Sequence, residues 1–292
     1  MRHGGRAVTL GLWLGAVALC LTGVHCGEGS TGDRRVTLTA AVQGARSEGT
    51  TAAGWTLTLT RATLALGPLR YYADPSVVAR APLPRLAFTL GTAWAQHCHD
   101  CPTAPVAEFG IAGGGAVYRA VDLLSMRPVD LGPGSARNGT YRSASVSFSP
   151  GVPVTGDAAL VASLQGRTMW VEGTARRGDT AVPFAGGIDL GLQRVSGGGA
   201  SPMTERPYTA FGIAFGDGRG VFLDTPEQGG PRAPRTTLRI DPVRMLDQVD
   251  FAALPAAMGQ APRAFPVEGQ GPAAWRLGAE DPRSYRVEYA PE

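Results

Sequence analysis

Trp55-Thr56-Leu57-Thr58-Leu59-Thr60 carries a large apolar side chain at every second position and a threonine at each position between. A repeat of two is the strand repeat, so Trp55, Leu57 and Leu59 share one face and the three threonines the other. Such a strand suits a sheet that is packed on one side and wet on the other. The same alternation recurs in Val36-Thr37-Leu38-Thr39-Ala40-Ala41-Val42. From Tyr141 to Phe148 it sets Tyr141, Ser143, Ser145 and Ser147 against Arg142, Ala144, Val146 and Phe148.

Further strands are expected at 117–124, 158–164, 168–175, 181–190, 208–215, 220–224, 236–240 and 285–289. Turn clusters separate them: Gly132-Pro133-Gly134, Pro150-Gly151, Gly197-Gly198-Gly199, Gly216-Asp217-Gly218 and Gly229-Gly230-Pro231. Many short strands with these turns, and no βα rhythm, predict an all-β fold: an antiparallel β-sandwich. One short C-terminal helix is expected, with Asp241 as its cap, Pro242 in the first turn and Met245, Leu246, Val249 and Leu254 as the apolar stripe. The Pro/Gly-rich stretches 225–235 and 256–282 read as irregular. Residues 36–292 then form a single β-sandwich domain.

The 292 residues include 41 Gly and 23 Pro, but 43% apolar content is too high for a disordered chain. Lysine is absent, so all 27 basic residues are arginine. That excludes a Walker-type phosphate loop, a Schiff-base lysine and a Ser–Lys dyad. With Arg2 and Arg6 set aside, the remaining charges nearly balance. No basic run with interleaved aromatics occurs, which disfavours a nucleic-acid partner.

Residues 1–25 have the parts of an export signal: Arg2 and Arg6 first, then an apolar run from Ala7 to Leu21. Residues 26–35 read as a flexible tether. Cys26, followed by small polar residues, resembles the lipid-modified cysteine of bacterial lipoproteins, although His25 stands where that motif has a small residue. The expected location is the cell envelope, in the periplasm or at the outer membrane, with the membrane engaged through a lipid anchor.

Beyond Cys26, every cysteine and histidine falls within five residues: His97-Cys98-His99-Asp100-Cys101. Imidazole with thiolate suits copper first and zinc second. In this reading His97, Cys98, His99 and Cys101 are ligands and Asp100 orients them. A pentapeptide does not easily wrap four donors around one ion. Remote donors would come from carboxylates or from Met126, Met169, Met203, Met245 or Met258. The alternative is a Cys98–Cys101 disulfide on a non-catalytic surface binding or scaffold module. Its four-residue loop would give little entropic stabilisation. Haem attachment through this CxxC fails because Pro102 occupies the histidine position.

No enzyme motif emerges. GxSxG is missing, and any histidine base would have to be His97 or His99. Gly113-Gly114-Gly115 and the glycines from 216 to 220 read as turns. Asp247 and Asp250 could share a helix face, with capping as the plainer role. A carboxylate-based hydrolase would need a cleft holding paired acids.

Three stretches together resemble the MbnP-like family of exported bacterial proteins: Val121-Asp122-Leu123-Leu124, then Tyr141 through Val146-Ser147-Phe148 to Gly151-Val152-Pro153, then Met169-Trp170. The resemblance covers about 50 residues. It implies copper binding, a haem-containing redox partner protein, and a tryptophan near the metal, for which Trp170 is the matching position. His97 and His99 stand in for the family's histidines, while the CxxC departs from its pattern. The chain also resembles uncharacterised exported β-sandwich lipoproteins rich in Gly and Arg.

Overall fold

The computed structural model describes residues 35–73, 105, 107–125, 127–137, 139–151, 153–195, 204–217, 220–223, 235–256, 261–266 and 268–290. In chain order the strands of the first half are β1 (Arg35–Gly44), β2 (Glu48–Thr50), β3 (Thr56–Tyr72), β4 (Ala107–Phe109), β5 (Ile111–Ala112), β6 (Gly115–Ala116), β7 (Tyr118–Asp122), β8 (Val129–Arg137), β9 (Gly139–Tyr141) and β10 (Ser143–Phe148). There follow β11 (Val154–Thr155), α1 (Ala158–Ser163), β12 (Met169–Arg177), β13 (Thr180–Ile188), β14 (Leu192–Val195), β15 (Thr204–Pro207), β16 (Thr209–Ala214) and β17 (Val221–Leu223). The last elements are β18 (Arg235–Ile240), α2 (Pro242–Met245), a 3₁₀ turn (Phe251–Ala253), β19 (Arg263–Ala264), α3 (Gln270–Glu280), a second 3₁₀ turn (Pro282–Ser284) and β20 (Tyr285–Ala290).

The fold is all-β and sandwich-like, and its two layers belong to one curled sheet of fourteen strands. Strand β3 is the spine. Its first half pairs with β12 on one side and with β2 and β7 on the other. Its second half pairs with β10 and β4. From β4 the sheet runs through β8, β1 and β18 to β20, and from β10 to β16. A bridge between Phe215 and Val287 brings the two runs together. The Gly216 N–H donates to the Val287 carbonyl at 2.9 Å, so the sheet closes on itself there and hides an edge. Pairing is mixed, because β1–β18, β7–β11 and β13–β19 are parallel.

The alternation decides what is inside. Trp55, Leu57 and Leu59 are buried, while Thr56, Thr58 and Thr60 are exposed. Within the ring of strands the Tyr71 ring packs against Phe215 at 4.7 Å, Phe109 at 5.0 Å and Tyr141 at 5.9 Å. Beside the other half of β3, Phe184 meets Phe251 at 4.7 Å and Phe265 meets Trp275 at 4.8 Å. One continuous apolar cluster spans both groups.

Three local expectations change. Residues 158–164 form α1 rather than a strand, because Asp157 accepts from the Ala159 and Leu160 N–H groups and so caps a helix. Asp241 does cap α2, accepting from the Arg244 N–H at 3.0 Å, but the helix lasts one turn. Val249 and Leu254 still reach the core from the irregular stretch that follows. Within the stretch expected to be irregular lies α3, which buries Trp275 and Ala279, four residues apart. Among the described residues no helix is long and apolar enough to cross a membrane.

Buried phenols make stability depend on alkaline pH. Burial pushes Tyr71 and Tyr285 well above the ordinary tyrosine value and Tyr141 up to about 12. In the unfolded chain these groups ionise near pH ~10. Their contribution is therefore whole below that pH and is lost as pH climbs through the folded values. Phenolate absorbance should show these tyrosines ionising only together with loss of the fold, above pH ~10. Independent ionisation of every tyrosine near pH ~10 in the folded protein would contradict the packing around Tyr71.

Candidate functional site

His97, Cys98, His99, Asp100 and Cys101 lie outside the described residues, as does Cys26. The structure does define where the segment bearing the five residues is attached. Tyr71 is paired with Ala107 and Leu69 with Phe109, so the chain leaves β3 after Tyr72 and re-enters at Pro105, beside its point of departure. Three residues separate Cys101 from Pro105, and the four peptide steps limit the Cys101 Cα to within ~14 Å of the junction by chain length.

The junction sits on one rim of the curled sheet. β8 ends there, since Ala107 is paired with Ala136. β1 begins there, since Arg35 is paired with Arg137. β10 begins there opposite Tyr72, and β16 ends there opposite Ser143. The β9–β17 ribbon connects from the ends of β8 and β16 at this rim. The opposite end of the ring carries the start of β8 at Val129, the end of β1 at Gly44, and α2.

Side chains fasten the junction. Across β3 and β4, Arg70 Nε donates to Glu108 Oε1 at 2.6 Å. Both groups are partly exposed, so this ion pair contributes at most about 1 kcal/mol. The Tyr71 hydroxyl and Thr236 Oγ1 are 2.6 Å apart in the interior. The Tyr141 hydroxyl donates to the Arg137 carbonyl and tightens the corner between β8 and β10.

Strand β10 departs from the one-sided expectation. Ser143, Ser145 and Ser147 are buried along with Ala144, Val146 and Phe148. Burying hydroxyls is tolerable where they find partners. Ser145 Oγ lies 3.1 Å from the Tyr72 hydroxyl and Ser147 Oγ 3.2 Å from Thr209 Oγ1. The serine alternation gave the correct faces but not the fact that both are covered.

The described residues contain no histidine and no cysteine, and no group of three or more His, Cys, Asp or Glu side chains among them could hold a metal ion. Two of the methionines considered as remote donors, Met169 and Met245, are fully buried in the apolar core. Met126, Met203 and Met258 lie outside the described residues. Several carboxylates are committed to arginine: Asp241 to Arg46 at 2.8 Å, Asp189 to Arg167 at 2.5 Å, Glu288 to Arg239 at 2.9 Å. Glu172 accepts from Arg61 at 2.7 Å and from the Trp170 indole N–H at 2.9 Å. Asp250 caps the 3₁₀ turn through Ala252, and Asp247 accepts from the Ala52 N–H at 3.3 Å, so both serve the backbone.

A cavity of about 470 Å³ opens between the first 3₁₀ turn and the start of α3, lined by Gln248, Asp250, Leu254, Pro266 and Gln270 among others. Among the described residues that line it, Asp250 supplies the one carboxylate, so no pair of acids meets among them. A second cavity of about 210 Å³ beneath α1 is lined by Val154, Val161, Leu164, Arg167 and Thr168 with glycines. The glycine-rich stretch 113–115 makes the tight β5–β6 turn, with Gly113 and Gly114 at φ +58° and +79°.

Of the sequence stretches 121–124, 141–148 and 169–170, Val121 and Asp122 end β7, Tyr141 ends β9, Ser143–Phe148 is β10, and Met169 and Trp170 begin β12. No family model, no curated protein and no solved structure matches the chain.

Proposed function

We propose that this is an exported envelope protein, anchored by lipid at Cys26, that binds a transition metal, copper first and zinc second, through His97, Cys98, His99 and Cys101. The observation that carries the reading is the gathering of every cysteine and histidine after Cys26 into one pentapeptide. Two imidazoles and two thiolates form a borderline-to-soft donor set, which suits those ions and not calcium or magnesium. The β body supports the reading as a scaffold, since both flanks of the segment are attached side by side at the β3–β4 junction. Asp100 would orient a ligand histidine by accepting from its second ring nitrogen. A haem-containing redox protein is the partner that the MbnP-like resemblance suggests.

Metal analysis tests this directly. The purified chain should carry close to one equivalent of copper or zinc, and His97→Ala/His99→Ala should carry a small fraction of it. Equal, substoichiometric metal in both proteins would end the proposal. Absence of free thiols in an anaerobic, denatured sample would favour the disulfide-bearing scaffold instead.

A further inference from the structure

We infer that the rim where β1 begins and β3 ends is the membrane-facing end of the molecule, and that the bilayer is the surface it meets. The inference rests on the anchored reading of Cys26 and adds an orientation to it. The tether from Cys26 joins the sheet at Arg35, which is paired with Arg137 at the end of β8. Nine peptide steps span at most about 30 Å. Strand β8 runs from this rim to Val129 at the other end, a rise of about 27 Å over its eight steps. The far end is therefore set back from the attachment point by about as much as the whole tether can extend.

Two independent joints lie on the same rim. The chain leaves for residues 74–104 after Ala73 and returns at Pro105, with Tyr71 and Ala107 in register and Ala107 beside Ala136. Anchor and ligand-bearing segment thus depart from one end of the sheet.

Energy transfer in vesicles tests the orientation. The full lipid-bearing chain carries a coumarin amino acid at Arg137 or at Arg127, both exposed positions, and the phosphatidylcholine/phosphatidylglycerol vesicles carry an acceptor on their headgroups. Transfer from position 137 should exceed that from 127 severalfold, and a second pair, Ser135 against Glu48, should rank the same way. Equal or reversed transfer from a chain that sediments with the vesicles would overturn the orientation alone. A chain that stays in the supernatant, with Cys26→Ser making no difference, would overturn the anchor and the orientation together. Metal content of the same samples reads the ligand segment separately.

Discussion

Gly44→Ala is expected to cost more than ~3 kcal/mol, a large part of the ~5–15 kcal/mol that holds an ordinary domain folded. Gly44 ends β1 and is paired with Ile240. A Cβ added there would lie 1.6 Å from the carbonyl oxygen of Leu123 and 2.5 Å from its carbon. The obstacle is backbone, so no side-chain rotation relieves it. Leu123 cannot retreat cheaply either, because its N–H donates to Ala62 at 2.8 Å and so fixes it beside β3. Thermal melting should fall by on the order of 10 °C. Gly115→Ala is the matched control, since its Cβ would meet nothing nearer than 3.8 Å. That control should stay within ~0.5 kcal/mol of the parent. A Gly44→Ala protein as stable as the parent would mean that the β1–β7 corner is arranged differently.

Cys98→Ser/Cys101→Ser should lower affinity for zinc or copper by at least about a hundredfold, since loss of mere outer partners of a ligand already costs ~10–100-fold. The metal-free variant should melt like the parent, because no described residue is a cysteine and none of the core depends on one. Competition with a chromophoric chelator measures the first quantity and calorimetry the second. Unchanged affinity would remove the thiolates from the donor set. Unchanged affinity with a lowered melting temperature would assign Cys98 and Cys101 to a structural bridge.

Much of the fold was legible because its signals were local. The Trp55–Thr60 alternation read the correct face of β3, and Asp241 with Pro242 marked the start of α2. Failures came where tertiary context overrode a local pattern. The serines of β10 looked wet because hydroxyls suit solvent, yet Tyr72 and Thr209 serve them inside. Residues 158–164 are apolar enough for either element, and Asp157, just ahead of the run, was the overlooked cap signal. α3 was obscured by its own Gly271, Pro272 and Gly278. Gly278 is there because its helix packs so closely on α2 that a Cβ would sit 2.0 Å from the Met245 carbonyl oxygen. Strand β3 continues well past the alternating stretch to Tyr72, where both faces become buried and the repeat of two disappears. The candidate ligands were legible by composition alone. Their attachment beside the start of β1 depended on sheet registers among residues distant in sequence, which no periodicity reports.

X-ray absorption on the metal-loaded full chain counts the donors around the ion by element. With zinc bound, a sulfur shell at ~2.3 Å should appear together with a nitrogen shell at ~2.0–2.1 Å. A shell of light oxygen donors alone, from a chain whose Cys98 and Cys101 yield no free thiol, would rule out metal binding by the His97–Cys101 segment.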